Sequence, residues 1–144
     1  MHSHMTILFC TDFSDNAQRA FKEAVFLARS TGGQITALHV IPGLYTAEEG
    51  RDPDVAAREH PDAPKALERL QAQCLSEPDL EVRGALRHGN ETKEIMDVAA
   101  AIGADVIVIG ASGLGAVGRF FGGGGVAEHV LHNARIPILI VPPT

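Results

Sequence analysis

Five short apolar runs, separated by segments of helical periodicity, constrain this chain more than any other feature. The runs are Thr6-Ile7-Leu8-Phe9-Cys10, Gln34 to Ile41, Leu80 to Arg87, Asp105 to Gly110 and Ile136 to Val141. The first and fourth are apolar almost end to end, which suits strands covered on both faces of a parallel sheet. Leu80 to Arg87 alternates apolar and polar, as a strand at or near a sheet edge does. Between the first two runs, Ser14 stands as an N-cap and Asp15 lies in the first turn. Ala17, Ala20, Phe21, Ala24, Val25, Leu27 and Ala28 then recur at helical spacing until Gly32-Gly33. A second helix is expected from about Pro64 through Leu67, Leu70 and Cys74. A third, capped by Asn90, runs from Glu91 to Ile102 with Gly103 behind it, and a fourth from Val126 to about Asn133-Ala134. From Pro42 to about Pro64 the chain carries four prolines and many charges, and it reads as one long irregular stretch.

This alternation predicts an α/β domain of three layers: an open parallel five-stranded sheet with four helices, joined by right-handed crossovers. At 144 residues the chain is expected to be a single domain, 1–144, with a proper core; Met1-His2-Ser3-His4 resembles an expression scar. In such sheets a ligand lies beyond the C-terminal ends of the strands, where strand order reverses. The first and fourth strands are the natural pair to flank that point. Thr11-Asp12, the Val40–Pro42 corner and the segment after Gly110 then share one rim.

That last segment holds eight of the chain's 15 glycines, between Gly110 and Gly125, and it feeds the final helix. Glycine permits positive φ and close backbone approach. A helix N-terminus adds unpaired N–H groups and a positive dipole end, which suits a phosphate. A plain flexible joint is the other reading of the same composition.

Bulk properties exclude several classes. The net charge of −6 and the scarcity of aromatics (no Trp, one Tyr) argue against a nucleic-acid partner. The apolar runs are too short to span a membrane, and the N-terminus enters a strand directly, without a signal peptide. Cys10 and Cys74 are too few for a disulfide framework, so a cytoplasmic location fits. There is no Gly-Lys-Ser or Gly-Lys-Thr, and no Gly-x-Ser-x-Gly elbow. Gly113-x-Gly115-x-x-Gly118 follows the fourth strand rather than the first, which makes a weak dinucleotide fingerprint. His129 and His132 lie three apart on a helix, but no further ligands have a convincing spacing. No nucleophile–base pair is present, so no catalytic and no metal-ligating residue is assigned and no enzyme activity is expected.

The residues Ile7 to Ser14, Leu38-His39-Val40, Asp105 to Gly113 and Val126 to Val141 together resemble the universal stress protein family, over essentially the whole chain. The resemblance implies a Rossmann-like, nucleotide-binding, α-hydrolase-like fold with strand order 3-2-1-4-5. It implies a homodimer formed by antiparallel pairing of the last strands, here Ile138 to Val141. It further implies a stress-response role in which one branch of the family binds ATP, with or without Mg2+, as a sensor or switch; another branch binds no nucleotide and acts as a dimeric interaction module. The binding branch carries Gly, two residues, Gly, nine residues, Gly, then Ser or Thr. Gly110 and Gly113 match the first half. Gly123-Gly124 stands at the second, or Gly124-Gly125 if the chain is anchored on Val126-Ala127-Glu128 with one residue inserted. Either way the hydroxyl residue is replaced by glycine. A lost hydrogen bond of this kind is worth about 0.5–1.5 kcal/mol, more against a charged group. By position, Asp12 beside Thr11 resembles the acidic residue near the ribose or base, or else it caps the turn. Val40 resembles the residue whose backbone meets adenine, or else it is plain core. Gly110, Gly113, Gly123, Gly124, Gly125 and Val126 resemble the phosphate side. Ser112 is a candidate for the missing hydroxyl, and Arg119 either neutralises phosphate or is simply solvated.

Overall fold

A computed structural model of the protein describes residues 4–43, 52–111 and 125–143. Five parallel strands form one sheet: β1 (Thr6–Cys10), β2 (Gln34–Pro42), β3 (Val82–Gly89), β4 (Val106–Gly110) and β5 (Ile138–Val141). Their order is β3-β2-β1-β4-β5. Helices α1 (Asp15–Thr31), α2 (Pro53–Glu59), α3 (Ala63–Leu75), α4 (Glu91–Ile102) and α5 (Val126–Asn133) connect them. The predicted layer architecture and strand order are observed.

The register explains why the first run is apolar. Phe9 pairs Ala37 on one side and Val108 on the other; Cys10 pairs Leu38 and Ile109. With both neighbours and both faces occupied, the middle of β1 touches no water: Ile7, Leu8 and Phe9 are fully buried. Ile7 and Phe9 join Ala20, Phe21 and Ala24 of α1, with Ala57 of α2 and Leu70 of α3, on one face. Leu8 and Cys10 join Ile95 and Val98 of α4 and Val130 of α5 on the other. Two cores are thus separated by the sheet.

The caps act as the sequence suggests. The Ser14 hydroxyl accepts from the Ala17 amide at 3.1 Å, and Asn90 Oδ1 accepts from Lys93 N at 2.8 Å. Gly32 and Gly103 close α1 and α4 at φ 68° and 66°, left-handed values that cost a side chain strain but glycine nothing.

Two expectations need correction. The described residues hold five helices rather than four, because the Pro-rich stretch contains α2. Asp52 caps it by accepting from Asp54 N, Pro53 occupies the first turn, and Ala56 and Ala57 are buried. Prolines and charges there read as a loop, yet a cap, a proline and two alanines are enough for two turns once β3 is beneath them. The third strand lies two residues later than Leu80–Arg87, because its ladder with β2 extends to Pro42↔Gly89 and takes in His88 and Gly89. His4 Nδ1 lies 2.6 Å from the Gly32 carbonyl.

Candidate functional site

β1 runs into α1 on one face of the sheet and β4 leads towards α5 on the other, so the chain parts between their C-terminal ends. A cleft of about 600 Å³, partly open to solvent, lies at this point. Its walls include Thr11, Asp12, Val40, Gly110 and Val126. Five of the ten predicted site residues therefore line one cavity. Gly125 immediately precedes it as the N-cap of α5. Ser112, Gly113, Gly123 and Gly124, with Arg119, lie outside the described residues.

The turn after β1 is tightly held. The Thr11 amide donates to the Leu38 carbonyl at 2.9 Å. The Thr11 hydroxyl accepts from Phe13 N at 2.9 Å, and Asp12 Oδ1 accepts from Ser14 N at 3.0 Å. Both readings of Asp12 are thus compatible: it caps the turn and it borders the cleft. Phe13 has φ 66°, the one positive φ among the described non-glycine residues. For a bulky L-residue that backbone region is costly and needs outside support.

Gly110 ends β4 for a packing reason. A Cβ there would stand 2.5 Å from Asn16 Nδ2. Asn16 is buried, and this amide donates to the Val141 carbonyl at 3.1 Å. Gly110, α1 and the end of β5 therefore meet through one side chain, a constraint that holds with or without a ligand. Asn16 Oδ1 is buried with no hydrogen-bond partner.

The wall formed by α5 is different in kind. Gly125 is extended (φ −98°, ψ −169°) and supplies no capping side chain. Its carbonyl accepts from His129 N at 3.0 Å, starting the helix ladder. The first-turn N–H groups have no acceptor within the helix itself. Val126 and Ala127, from this turn, line the cleft.

Residue-by-residue reasoning missed several walls. His39 lines the cleft with Leu38, Glu91 and Ile95, beside Pro42 of the expected corner. Glu91 had a signal: the cap at Asn90 starts α4 at the C-terminal end of β3, on the same rim. Cys10 forms part of the floor, and burial raises its thiol far above the ordinary range. It stays protonated and behaves as a small apolar group, which removes it as a nucleophile. The site thus presents apolar side walls, a carboxylate at one lip and backbone N–H groups at the other. That combination can hold a flat apolar ring, a polyhydroxylated linker and an anion. Among the described residues no group of three or more His, Cys, Asp or Glu side chains can hold a metal, and no helix is long and apolar enough to cross a membrane.

Comparison with known proteins agrees with this geometry. A protein of Staphylococcus epidermidis named as a universal stress protein is 30% identical over 98% of this chain and 86% of its own length. The structure of UspA from Lactobacillus plantarum superposes with a TM-score of 0.69 at 26% identity, covering 95% of this chain and 97% of that one. A universal stress protein from Archaeoglobus fulgidus, solved in complex with dAMP, gives a TM-score of 0.67 at 25% identity over 98% and 99% of the two chains. The model of the universal stress protein family matches residues 4–142. The family model, the sequence similarity and the superposed folds agree, and the chain belongs to the universal stress protein family.

Proposed function

We infer that the cleft between β1 and β4 binds an adenine nucleotide, ATP with or without Mg2+, and that the protein serves as a nucleotide-dependent sensor or switch in stress response rather than as an enzyme. One observation carries this reading: Asp12, Val40 and the first turn of α5 border the same cleft. The base lies against Val40 and Ile95, the ribose near Asp12, and phosphate at the N-terminus of α5, where N–H groups and the helix dipole favour anions. The dAMP complex of the Archaeoglobus fulgidus relative supports a purine nucleotide as the ligand class. Any hydrolysis is slow and incidental. The protein acts in the cytoplasm as a homodimer, through β5, whose edge position leaves backbone groups to pair with a second copy.

A second reading is favoured by Gly125. The cap of α5 lacks any side chain, and the family's hydroxyl position is glycine. A dimeric interaction module that binds no nucleotide would have this feature too. Calorimetric titration of nucleotide-stripped protein with ATP–Mg2+ and with AMP separates the two. Saturable heat supports nucleotide binding; no heat and no thermal shift at millimolar nucleotide supports the interaction module.

A further inference from the structure

We propose that His39 is a positioning residue for Asp12, acting through a clamp made of His39, Thr11, Phe13 and Arg69. The proposal rests on the nucleotide reading of the cleft. His39 Nδ1 lies 2.8 Å from the Thr11 carbonyl oxygen. A carbonyl only accepts, so Nδ1 carries the proton and donates; this fixes the tautomer. The Phe13 amide donates to the Thr11 hydroxyl at 2.9 Å. These two bonds hold the peptide planes on either side of Asp12: the Thr11–Asp12 plane by its carbonyl, the Asp12–Phe13 plane by its N–H. With both planes held, the Cα–Cβ direction of Asp12 is set, and Ser14 N fixes Oδ1 at 3.0 Å.

The left-handed backbone of Phe13 is the cost of this arrangement. The ring contacts offset it. Phe13 and His39 have ring centroids 4.5 Å apart, tilted by 38°, and the Arg69 guanidinium carbon lies 5.4 Å from the Phe13 centroid. Phe13 is also packed against the core of that face. His39 therefore acts twice: it anchors the Thr11 carbonyl and supports the ring whose residue bears the strain. Its place is dictated by register. Cys10 pairs Leu38, so the next residue of β2 lies beside the residue that leaves β1. The left-handed turn throws the chain sideways into α1 and leaves Asp12 at the lip of the cleft.

The test is a double-mutant cycle read by AMP titration of the full chain, with folding checked by circular dichroism. His39→Ala is expected to weaken AMP by about five- to tenfold, the size of one lost neutral hydrogen bond. In an Asp12→Asn background the same change is expected to cost less than about twofold, because a positioned group that is already gone cannot be mispositioned. His39→Asn, whose amide nitrogen sits near the place of Nδ1, restores most of the affinity. Equal losses in both backgrounds, or no loss from His39→Ala, would overturn the proposal. A second readout is independent of nucleotide and distinguishes failure of the clamp from failure of the binding reading. Amide exchange at Phe13 is expected to accelerate by about tenfold or more in His39→Ala. Unchanged protection there overturns the clamp even if AMP binds. If accelerated exchange is seen in a protein that binds no nucleotide, it is the binding reading that fails, and with it the role assigned to Asp12. If His39→Ala does not fold, His39→Leu, which keeps the bulk beside Phe13 and removes the donor to Thr11, replaces it in the cycle with the same expectations.

Discussion

Two helices begin at the same cleft and begin differently. α1 starts with Ser14, whose hydroxyl accepts from the Ala17 amide, and with Asp15 in its first turn. α5 starts with Gly125, which has no side chain to offer. Both leave orphan N–H groups as every helix does. In α1 the protein has answered them with its own oxygen and its own negative charge. In α5 no capping side chain among the described residues answers them. A helix that caps itself has little use for an anion, whereas an uncapped one is stabilised when an anion arrives. On the proposed reading, the phosphate end of the nucleotide then lies at α5, and the β1–α1 turn has the task of holding Asp12.

Several changes break or sharpen this contrast. The largest effect is expected from Gly110→Val, which forces a side chain onto Asn16 where even a Cβ would stand 2.5 Å away. Overpacking together with the lost Asn16–Val141 bond should lower unfolding free energy by about 2–3 kcal/mol, measured by chemical denaturation. An unchanged midpoint would mean that the meeting of α1, β4 and β5 is looser than described.

Gly125→Asp gives α5 the cap that α1 already has. The extended backbone of Gly125 accepts any residue there. ATP affinity should fall by more than about tenfold, since the carboxylate takes the N–H groups and repels phosphate. Stability of the free protein should rise by only a few tenths of a kcal/mol, the usual difference between glycine and aspartate caps. Retained affinity would remove phosphate from α5. The converse change, Ser14→Ala, should cost about 1 kcal/mol of stability and leave ATP affinity within about threefold. A large affinity loss without a stability loss would reverse the assignment of the two helices.

The smallest effect concerns α4, the third helix at this rim. Glu94 is buried in its first turn, and desolvation holds its carboxyl above the ordinary glutamate range, with Lys93 at 4.0 Å opposing the shift. The folded state thus holds this proton more tightly than the unfolded chain. Its contribution is most favourable in acid and is lost as pH rises through the raised value. Glu94→Gln should therefore stabilise the protein at neutral pH, with the gain shrinking towards pH 4. A gain that grew on acidification would contradict the burial argument.

Much of the fold was legible because its signals are local. Period-two and period-3.6 patterns are visible along a single chain, as are Ser14, Asn90, Gly32 and Gly103 at helix ends. α2 was not legible, because Asp52-Pro53 looks like loop chemistry until Ala56 and Ala57 have a sheet to cover. The end of β3 was missed for a similar reason: nothing in His88-Gly89 announces a strand until β2 lies alongside to Pro42. At the site, Thr11-Asp12 and the Val40–Pro42 corner followed from topology, through the rule that ligands sit where strand order reverses, whereas Val126 came from the family resemblance. Gly110 was read for its closeness to a ligand, while the structure shows its closeness to Asn16. His39 gave no signal as a lone histidine in a strand; its meaning depends on the carbonyl across the register from it.

The most direct measurement is calorimetric titration of nucleotide-stripped protein with ATP–Mg2+, paired with thermal unfolding at the same concentrations. The account predicts saturable binding to one site per chain. It also predicts stabilisation of about 2.7 kcal/mol when nucleotide reaches about a hundredfold over Kd, with the binding lost in Gly125→Asp and kept in Ser14→Ala. No heat and no stabilisation at millimolar ATP, in protein shown to be folded, would contradict it and leave the open end of α5 as a feature of the fold alone.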